Sequence, residues 1–513
     1  MNDNTPVIIG VGEASERIDA ADYKGLSPAD LAGQAARAAL DDALSTSALA
    51  PHVAVIAAIR QFEVSGPGAV APFGRADNFP RAVARRIGAN PARAILEPVG
   101  GQGPQHLVNQ FAQAIAAGKM GMTLLVGSEA ISTVRHLSSK GETRDWAETV
   151  PGELEDRGYG DPLLTRELPS HGARTPISIY AMFENARRGR LGLDRTAYQL
   201  EMGRLFEPFT KVAAGNPHAM SPEAHSAEAL ATITPRNRLT SDPFPRWVVA
   251  RDQANQGAAV LLTSVGRARE LGVPESKWIY LLGGADVKER NVVERQDLSS
   301  SPAETMAAKR ALDVAGLDVG QIDLFDFYSC FPIAVFNVRD GLGIAADDPR
   351  PLTMTGGLPF FGGAGNNYSM HAIASMVRAL RAKPEARGLV AANGGYLSKY
   401  SVGVYSAKPA AWTGFDSKAL QAEVDAWPAP ALAGPTTGSG VIETYTIDYA
   451  GSAPKAVVVG RLEDGGARFI AMTAPDDTEI VQTMIDREPL GACVTLAPDD
   501  AGHTVIKAIT PSG

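Results

Sequence analysis

Two distant stretches of this chain carry the same succession of structural signals. Ser27-Pro28-Ala29-Asp30 sets a capping hydroxyl, a proline at the first helical position and an early carboxylate ahead of an alanine-rich helix running to Leu40. Ser301-Pro302-Ala303-Glu304 does the same ahead of Ala307-Ala308-Lys309-Arg310-Ala311-Leu312. Further along each stretch, Gly100-Gly101-Gln102-Gly103 opens a helix over 105–117 that leads into the apolar run Met122–Val126. Its counterpart is Gly362-Gly363-Ala364-Gly365, a helix over 368–382 and the run Leu389–Ala392. Because the elements recur in the same order, the chain reads as two duplicated α/β halves, 1–130 with an end piece at 236–274, and 275–408. Further buried strands are expected at Pro6–Gly12, Ala54–Ile59 and Arg93–Val99.

Between the halves, residues 131–235 are polar and rich in proline, with helical stretches at Ile179–Arg190 and Tyr198–Ala214, and read as a lid or binding surface. Residues 409–440 read as a Pro/Gly/Thr-rich linker. From 441 to 513 the texture turns to alternation, as in Val441–Tyr449, Ala456–Gly460, Arg468–Met472, Gly491–Leu496 and His503–Lys507. Five short strands of this kind read as a small OB-like β-barrel.

Lys plus Arg number 48 against 57 Asp plus Glu, a formal charge of −9, so no basic stripe for nucleic acid is expected. No apolar run is long enough for a membrane span, and no secretory leader is apparent. Only two cysteines occur, Cys330 and Cys493, which points to a reducing, cytoplasmic setting and against a disulfide framework. The eight histidines show no metal-ligand spacing, so no metal is expected.

A glycine-opened helix start presents unpaired N–H groups suited to an anion or oxyanion, or simply packs tightly against a strand. The residues around these starts resemble the thiolase superfamily in register over 1–408. Leu96–Val126 is similar to the segment that delivers that family's nucleophilic cysteine to a helix. Ile115-Ala116-Ala117-Gly118 and Gly127-Ser128-Glu129-Ala130 resemble its later landmarks, and Asp252–Ala259 its Asp-Gly-Ala-Ala stretch. Phe327-Tyr328-Ser329-Cys330-Phe331 falls at the His-Asp-Cys-Phe motif of sterol-carrier-type thiolases. Gly356–Gly365 falls at Gly-Gly…Gly-His-Pro-x-Gly, and Ala392-Asn393-Gly394-Gly395 at Cys-x-Gly. The terminal β region further resembles the thiolase-like proteins that carry an additional C-terminal domain.

The resemblance implies a duplicated five-layered fold of two βαβαβαββ halves, an acyl-CoA or CoA ligand with no other cofactor, and a dimer paired through an edge strand. It also implies that the chemistry has changed. The nucleophile's place falls on Gly100 or Gly101, the activating histidine's on Gly363, the second cysteine's on Asn393 and the oxyanion-hole histidine's on Tyr328. No cysteine precedes Cys330, which reads as a buried structural thiol; Cys493 reads as strand packing. Ordinary thiolysis is therefore not expected.

The remaining polar candidates are Tyr328, His371, Asn367 and Asn393 for catalysis, with Gly100, Gly101, Gln102, Ser329, Asn366 and Gly394 for substrate. Tyr328 would donate to a thioester oxygen, exchange a proton if its pKa were lowered, or merely fill volume. His106 is a further histidine beside the first glycine loop. By resemblance, Lys211, Arg236 or Arg246 would meet CoA phosphates or remain solvated. Two function classes follow: an acyl-CoA protein of altered, non-covalent chemistry such as retro-aldol cleavage, or a non-catalytic acyl-CoA binder or scaffold.

Overall fold

The computed structural model describes residues 2–162 and 164–511. In chain order its strands are β1 (Pro6–Ser15), β2 (Val55–Ile59), β3 (Arg93–Glu97), β4 (Thr123–Ala130), β5 (Glu155–Asp156), β6 (Leu239–Ser241), β7 (Phe244–Pro245), β8 (Asn255–Ser264), β9 (Ile279–Lys288), β10 (Leu324–Phe327), β11 (Arg387–Gly394), β12 (Lys399–Ser406), β13 (Gly438–Asp448), β14 (Lys455–Leu462), β15 (Arg468–Thr473), β16 (Cys493–Pro498) and β17 (Thr504–Thr510).

The duplication is explicit in the pairing. In the first half β2 runs parallel to β4, β4 antiparallel to β8 and β8 antiparallel to β1. In the second, β10 runs parallel to β11, β11 antiparallel to β12 and β12 antiparallel to β9. The two sheets meet where Val7 and Ile8 pair with Tyr280 and Ile279. The glycine-opened helices Gly103–Ala116 and Tyr368–Ala382 each contact strands of both halves, so they form the middle layer. Pro28–Ala43 covers the outside of the first sheet and Pro302–Ala315 the outside of the second, which makes five layers. Ser27 caps its helix in a capping box with Asp30, and Ser301 accepts from the Glu304 N–H.

The halves even share a close approach. A Cβ on Gly10 would lie 2.1 Å from the Ala39 carbonyl oxygen, and one on Gly283 would lie 2.1 Å from that of Ala311. Each alanine-rich helix therefore sits directly on a strand backbone.

The C-terminal strands close in the order β13-β14-β15-β17-β16-β13, with β15 and β17 parallel, which is OB topology. A helix at Thr478–Asp486, capped by Asp477, inserts Ile480, Val481 and Met484 into the barrel core. The segment read as linker also contains structure: Lys418–Asp425 is helical with Val424 buried, and β13 begins at Gly438. Leu420 and Val424 are its only large apolar side chains, one turn apart, too short a pattern to stand out in the sequence.

Residues 131–235 are integral to the core. Their helices Pro176–Leu191 and Arg195–Ala214 bury Tyr180, Phe183, Tyr198, Phe206 and Phe209 in the main cluster. They also dock the barrel. Arg188, 1 % exposed, holds Glu488 at 2.7 Å, and the Tyr445 hydroxyl accepts from Arg188 and Arg195 while donating to Asp242 at 2.9 Å. β6 then extends the barrel by pairing Ser241 with Asp448. On the outer edge of the first sheet, β5 runs parallel to β3, pairing Glu155 with Ile95 and Asp156 with Leu96. One edge of the sheet, where an edge-strand dimer would pair, thus carries a short strand of the same chain.

Candidate functional site

The two glycine loops face each other at the centre of the sandwich and are tied together by side chains. Gly100, at φ 153°, donates its N–H to Asn366 Oδ1 at 3.2 Å. The Asn366 amide in turn donates to the Arg60 carbonyl at 2.9 Å and Ser65 Oγ at 3.0 Å. Ser369 Oγ donates to the Gly101 carbonyl at 2.7 Å. Asn366, expected as a substrate donor, is therefore fully engaged in holding the loops.

Tyr328 follows β10 and points at the start of the first helix. A Cβ on Gly101 would lie 2.4 Å from the Tyr328 hydroxyl and 2.6 Å from the Asn393 carbonyl oxygen. The space a side chain at 101 would enter is thus already filled. Among the described residues the Tyr328 hydroxyl has no hydrogen-bond partner. Burial, with Cys330 adding to it, raises its pKa, so it is a proton-holding donor; the lowered pKa that proton exchange requires is not met.

Asn393 is fully buried, donates to Tyr180 Oη at 3.3 Å and leaves its own Oδ1 unpartnered. Cys330 lies beside it, 8 % exposed, and burial pushes its thiol up to about 12. Gln102 and Gly394 complete the cluster: a Cβ on Gly394 would lie 2.0 Å from Gln102 Oε1, an oxygen with no donor.

Other candidates are turned elsewhere. Ser329 Oγ accepts the Leu358 N–H at 3.2 Å and so braces the Gly356-Gly357 turn. Gly363 donates its N–H to the Arg251 carbonyl at 2.7 Å, and Gly101, Tyr328 and Asn393 are not among the neighbours a Cβ there would meet. His371 lies two residues from Ser369, about 200° around the helix, so it faces away from Gly101. Its Nδ1 meets Glu13 Oε1 at 2.6 Å while Nε2 is unpartnered. Burial opposes the Glu13 charge, but the hydrogen bond and charge of His371 and the charge of Arg378 overcome it and hold that carboxyl at about 2. Asn367 is fully buried against Gly127, with both amide atoms unpartnered.

On the surface, Lys211 pairs with Glu207 at 2.7 Å, and Arg236 and Arg246 are exposed. Cys493 is exposed, contrary to its reading as strand packing: Ala492 and Val494 take the inward positions of the alternation. Sequence reasoning missed Ser369 and Tyr180 as partners of Gly101 and Asn393, since each reaches the site from a different element. The structure accordingly brings together Gly100, Gly101, Gln102, Tyr328, Asn393 and Gly394, an uncharged polar cluster at a helix start.

Comparison with known proteins agrees with this architecture. The family model described as thiolase-like protein type 1 additional C-terminal domain matches residues 419–501. No curated sequence matches the chain. Among solved structures, a monomeric SCP2-thiolase like protein type 1 from Mycobacterium smegmatis is 43% identical over 100% of both chains, with a TM-score of 0.85. The Ltp2-ChsH2(DUF35) aldolase (19% identity, 79% of this chain and 98% of that one, TM-score 0.56) shares the fold. So does the dimeric peroxisomal thiolase of Saccharomyces cerevisiae (15%, 79% and 98%, TM-score 0.56). No candidate transmembrane helix occurs among the described residues. Duplicated halves, a C-terminal barrel of OB topology and full-length identity together place the chain in the family of SCP2-thiolase-like proteins of type 1.

Proposed function

We propose that this protein binds an acyl-CoA thioester at the junction of its two halves and holds it without forming a covalent acyl-enzyme. The observation that carries this reading is the Tyr328 hydroxyl, free of protein partners and set against Gly101 at a helix start. Such a donor suits a thioester or keto oxygen, while the space a nucleophilic side chain would need is occupied. Cys330 offers no substitute, since a buried thiol pushed up to about 12 carries no thiolate at neutral pH. On this reading Asn393 and Gly394 line the thioester, and cysteine-based thiolysis is absent.

The test is calorimetric titration with acetyl-CoA and a 3-ketoacyl-CoA, followed by intact-mass analysis. Saturable binding without an adduct or CoA release is expected, weakened roughly tenfold in Tyr328→Phe by the lost hydrogen bond. An acyl-cysteine adduct with turnover overturns the proposal, as does an absence of binding.

Retro-aldol cleavage of a β-hydroxyacyl-CoA is a second reading, favoured by the same free phenol and by the aldolase named among the structural relatives. It needs a base, and Gly101 and Tyr368, which lie against Tyr328, supply none. Binding is therefore the stronger reading. Absence of a carbonyl product from a β-hydroxyacyl-CoA would dispose of the lyase.

We further infer that the protein is a monomer, because β5 occupies part of the edge of β3, and that it works in a reducing, cytoplasmic setting, because its two cysteines are free thiols. Light scattering should give a mass near 53.8 kDa.

A further inference from the structure

Beside the central cluster, on the far side of Gln102, lies a cleft of about 400 Å³. Strand alternation builds its floor. Lys399 and Ser401 on β12 share a face and pair across to Lys288 and Asp286 on β9. His106, from the second turn of the first glycine-opened helix, and Glu97, from the end of β3, complete the wall. Gly160 and Asp161, just beyond β5, form the rim.

Every charged side chain lining this cleft but one meets an opposite charge within 4 Å. Asp161 holds Lys288 at 2.7 Å, Glu97 holds Arg157 at 2.8 Å, and Asp286 meets His106 at 3.2 Å and Ser401 at 2.6 Å. Among the described residues lining the cleft, Lys399 alone is a cation without a carboxylate. Its Nζ has one partner, the Val99 carbonyl at 3.2 Å, although the residue is only 8 % exposed. Burial lowers its pKa and neighbouring Lys288 adds to this, while Asp161 and Glu97, neither in contact with Nζ, oppose the shift without reversing it. A buried ammonium with a single carbonyl acceptor is costly, and an anion would relieve that cost.

We propose that this cleft is a second ligand site, separate from the Gly101–Tyr328 cluster, that takes a small monocarboxylate with Lys399 as its counter-charge. The three carboxylates in the same walls repel a phosphate dianion more strongly than a singly charged group. His106 is bracketed by Asp286 at Nδ1 and by Glu97, 3.9 Å from Nε2, so Lys399 is left as the cationic partner for a ligand. A volume of about 400 Å³ is at the small end of ligand pockets, which fits a short-chain acid.

The probes are 3-hydroxybutyrate, its neutral methyl ester and inorganic phosphate, applied to the full chain and followed by saturation-transfer NMR. Saturable binding of the acid alone is expected, weakened roughly tenfold in Lys399→Met and partly retained in Lys399→Arg. On the wild-type chain, 3-hydroxybutyrate should slow acetylation of Lys399 by dilute acetic anhydride, read by peptide mass. This arm needs no variant to fold. Equal binding of the ester or phosphate, unchanged affinity in Lys399→Met, or no protection of Lys399 overturns the proposal. Displacement of the acid by acetyl-CoA overturns the separateness of the site.

Discussion

Restoring a sulfur to the first glycine loop should fail, for a reason that can be worked from the geometry. A Cβ on Gly101 meets the Tyr328 hydroxyl at 2.4 Å, its Cζ at 2.6 Å and the Asn393 carbonyl oxygen at 2.6 Å. Gly101 has no left-handed backbone angle, so the cost of Gly101→Cys is steric alone. The tyrosine ring can shift, but the carbonyl belongs to β11, held in register by β12, and cannot. Overpacking of this kind costs about 2 kcal/mol, enough to move a denaturation midpoint clearly. Removing the ring in Gly101→Cys/Tyr328→Ala relieves two of the three contacts, so stability relative to Tyr328→Ala should recover in part, and the two sites should couple in a double-mutant cycle. Neither variant should acquire an acetyl group from acetyl-CoA, because no histidine at 363 activates the thiol. Urea unfolding and intact-mass measurement check both halves of the expectation. A Gly101→Cys protein as stable as wild type and readily acetylated would refute the reasoning.

Three further outcomes are expected. Asp326 is buried and its pKa is raised from 3.8 to about 7, while its donors converge on Oδ2 alone. The folded state therefore keeps a proton that the unfolded chain releases, so this group costs stability as pH rises from about 4 to 7. Asp326→Asn should gain at most about 4 kcal/mol at pH 8 and nothing below pH 4, read from unfolding at the two pH values. Tyr445→Phe removes the hydroxyl shared by Arg188, Arg195 and Asp242. It should cost about 3 kcal/mol and speed proteolysis between 407 and 437. With an aromatic disulfide reagent at neutral pH, Cys493 should react and Cys330 should not until the chain unfolds, read by peptide mass.

The parts of the fold readable from sequence were those written in local signals. The Ser27 and Ser301 caps, the helix over Tyr368–Ala382 and the alternation of the five barrel strands each rest on neighbours a few residues apart. The glycine loops marked the centre because glycine there admits another backbone or side chain. What filled the space was not readable: the contact of Tyr328 with Gly101 joins residues more than half the half-to-half spacing apart, and no pattern encodes it. The same holds for His371, which sits in the expected helix yet turns to Glu13 from β1. β5, two residues long and exposed, carries no periodicity at all, although it pairs with Ile95 and Leu96 of β3 at the sheet edge. The pairing of Lys399 with Lys288 follows from register, which only the completed sheet defines.

The docking of the barrel has a consequence for how the chain is made. Arg188 leaves the ribosome 300 residues before Glu488, the carboxylate that neutralises it, and Ser241 of β6 precedes its partner Asp448 in β13 by a shorter but still long stretch. Until the last strands emerge, the middle of the nascent protein holds a guanidinium destined for burial and no counter-ion for it. Synthesis must therefore run past Glu488 before the helix that carries Arg188 can settle, and the β-barrel acts as the keystone of the lobe it is joined to.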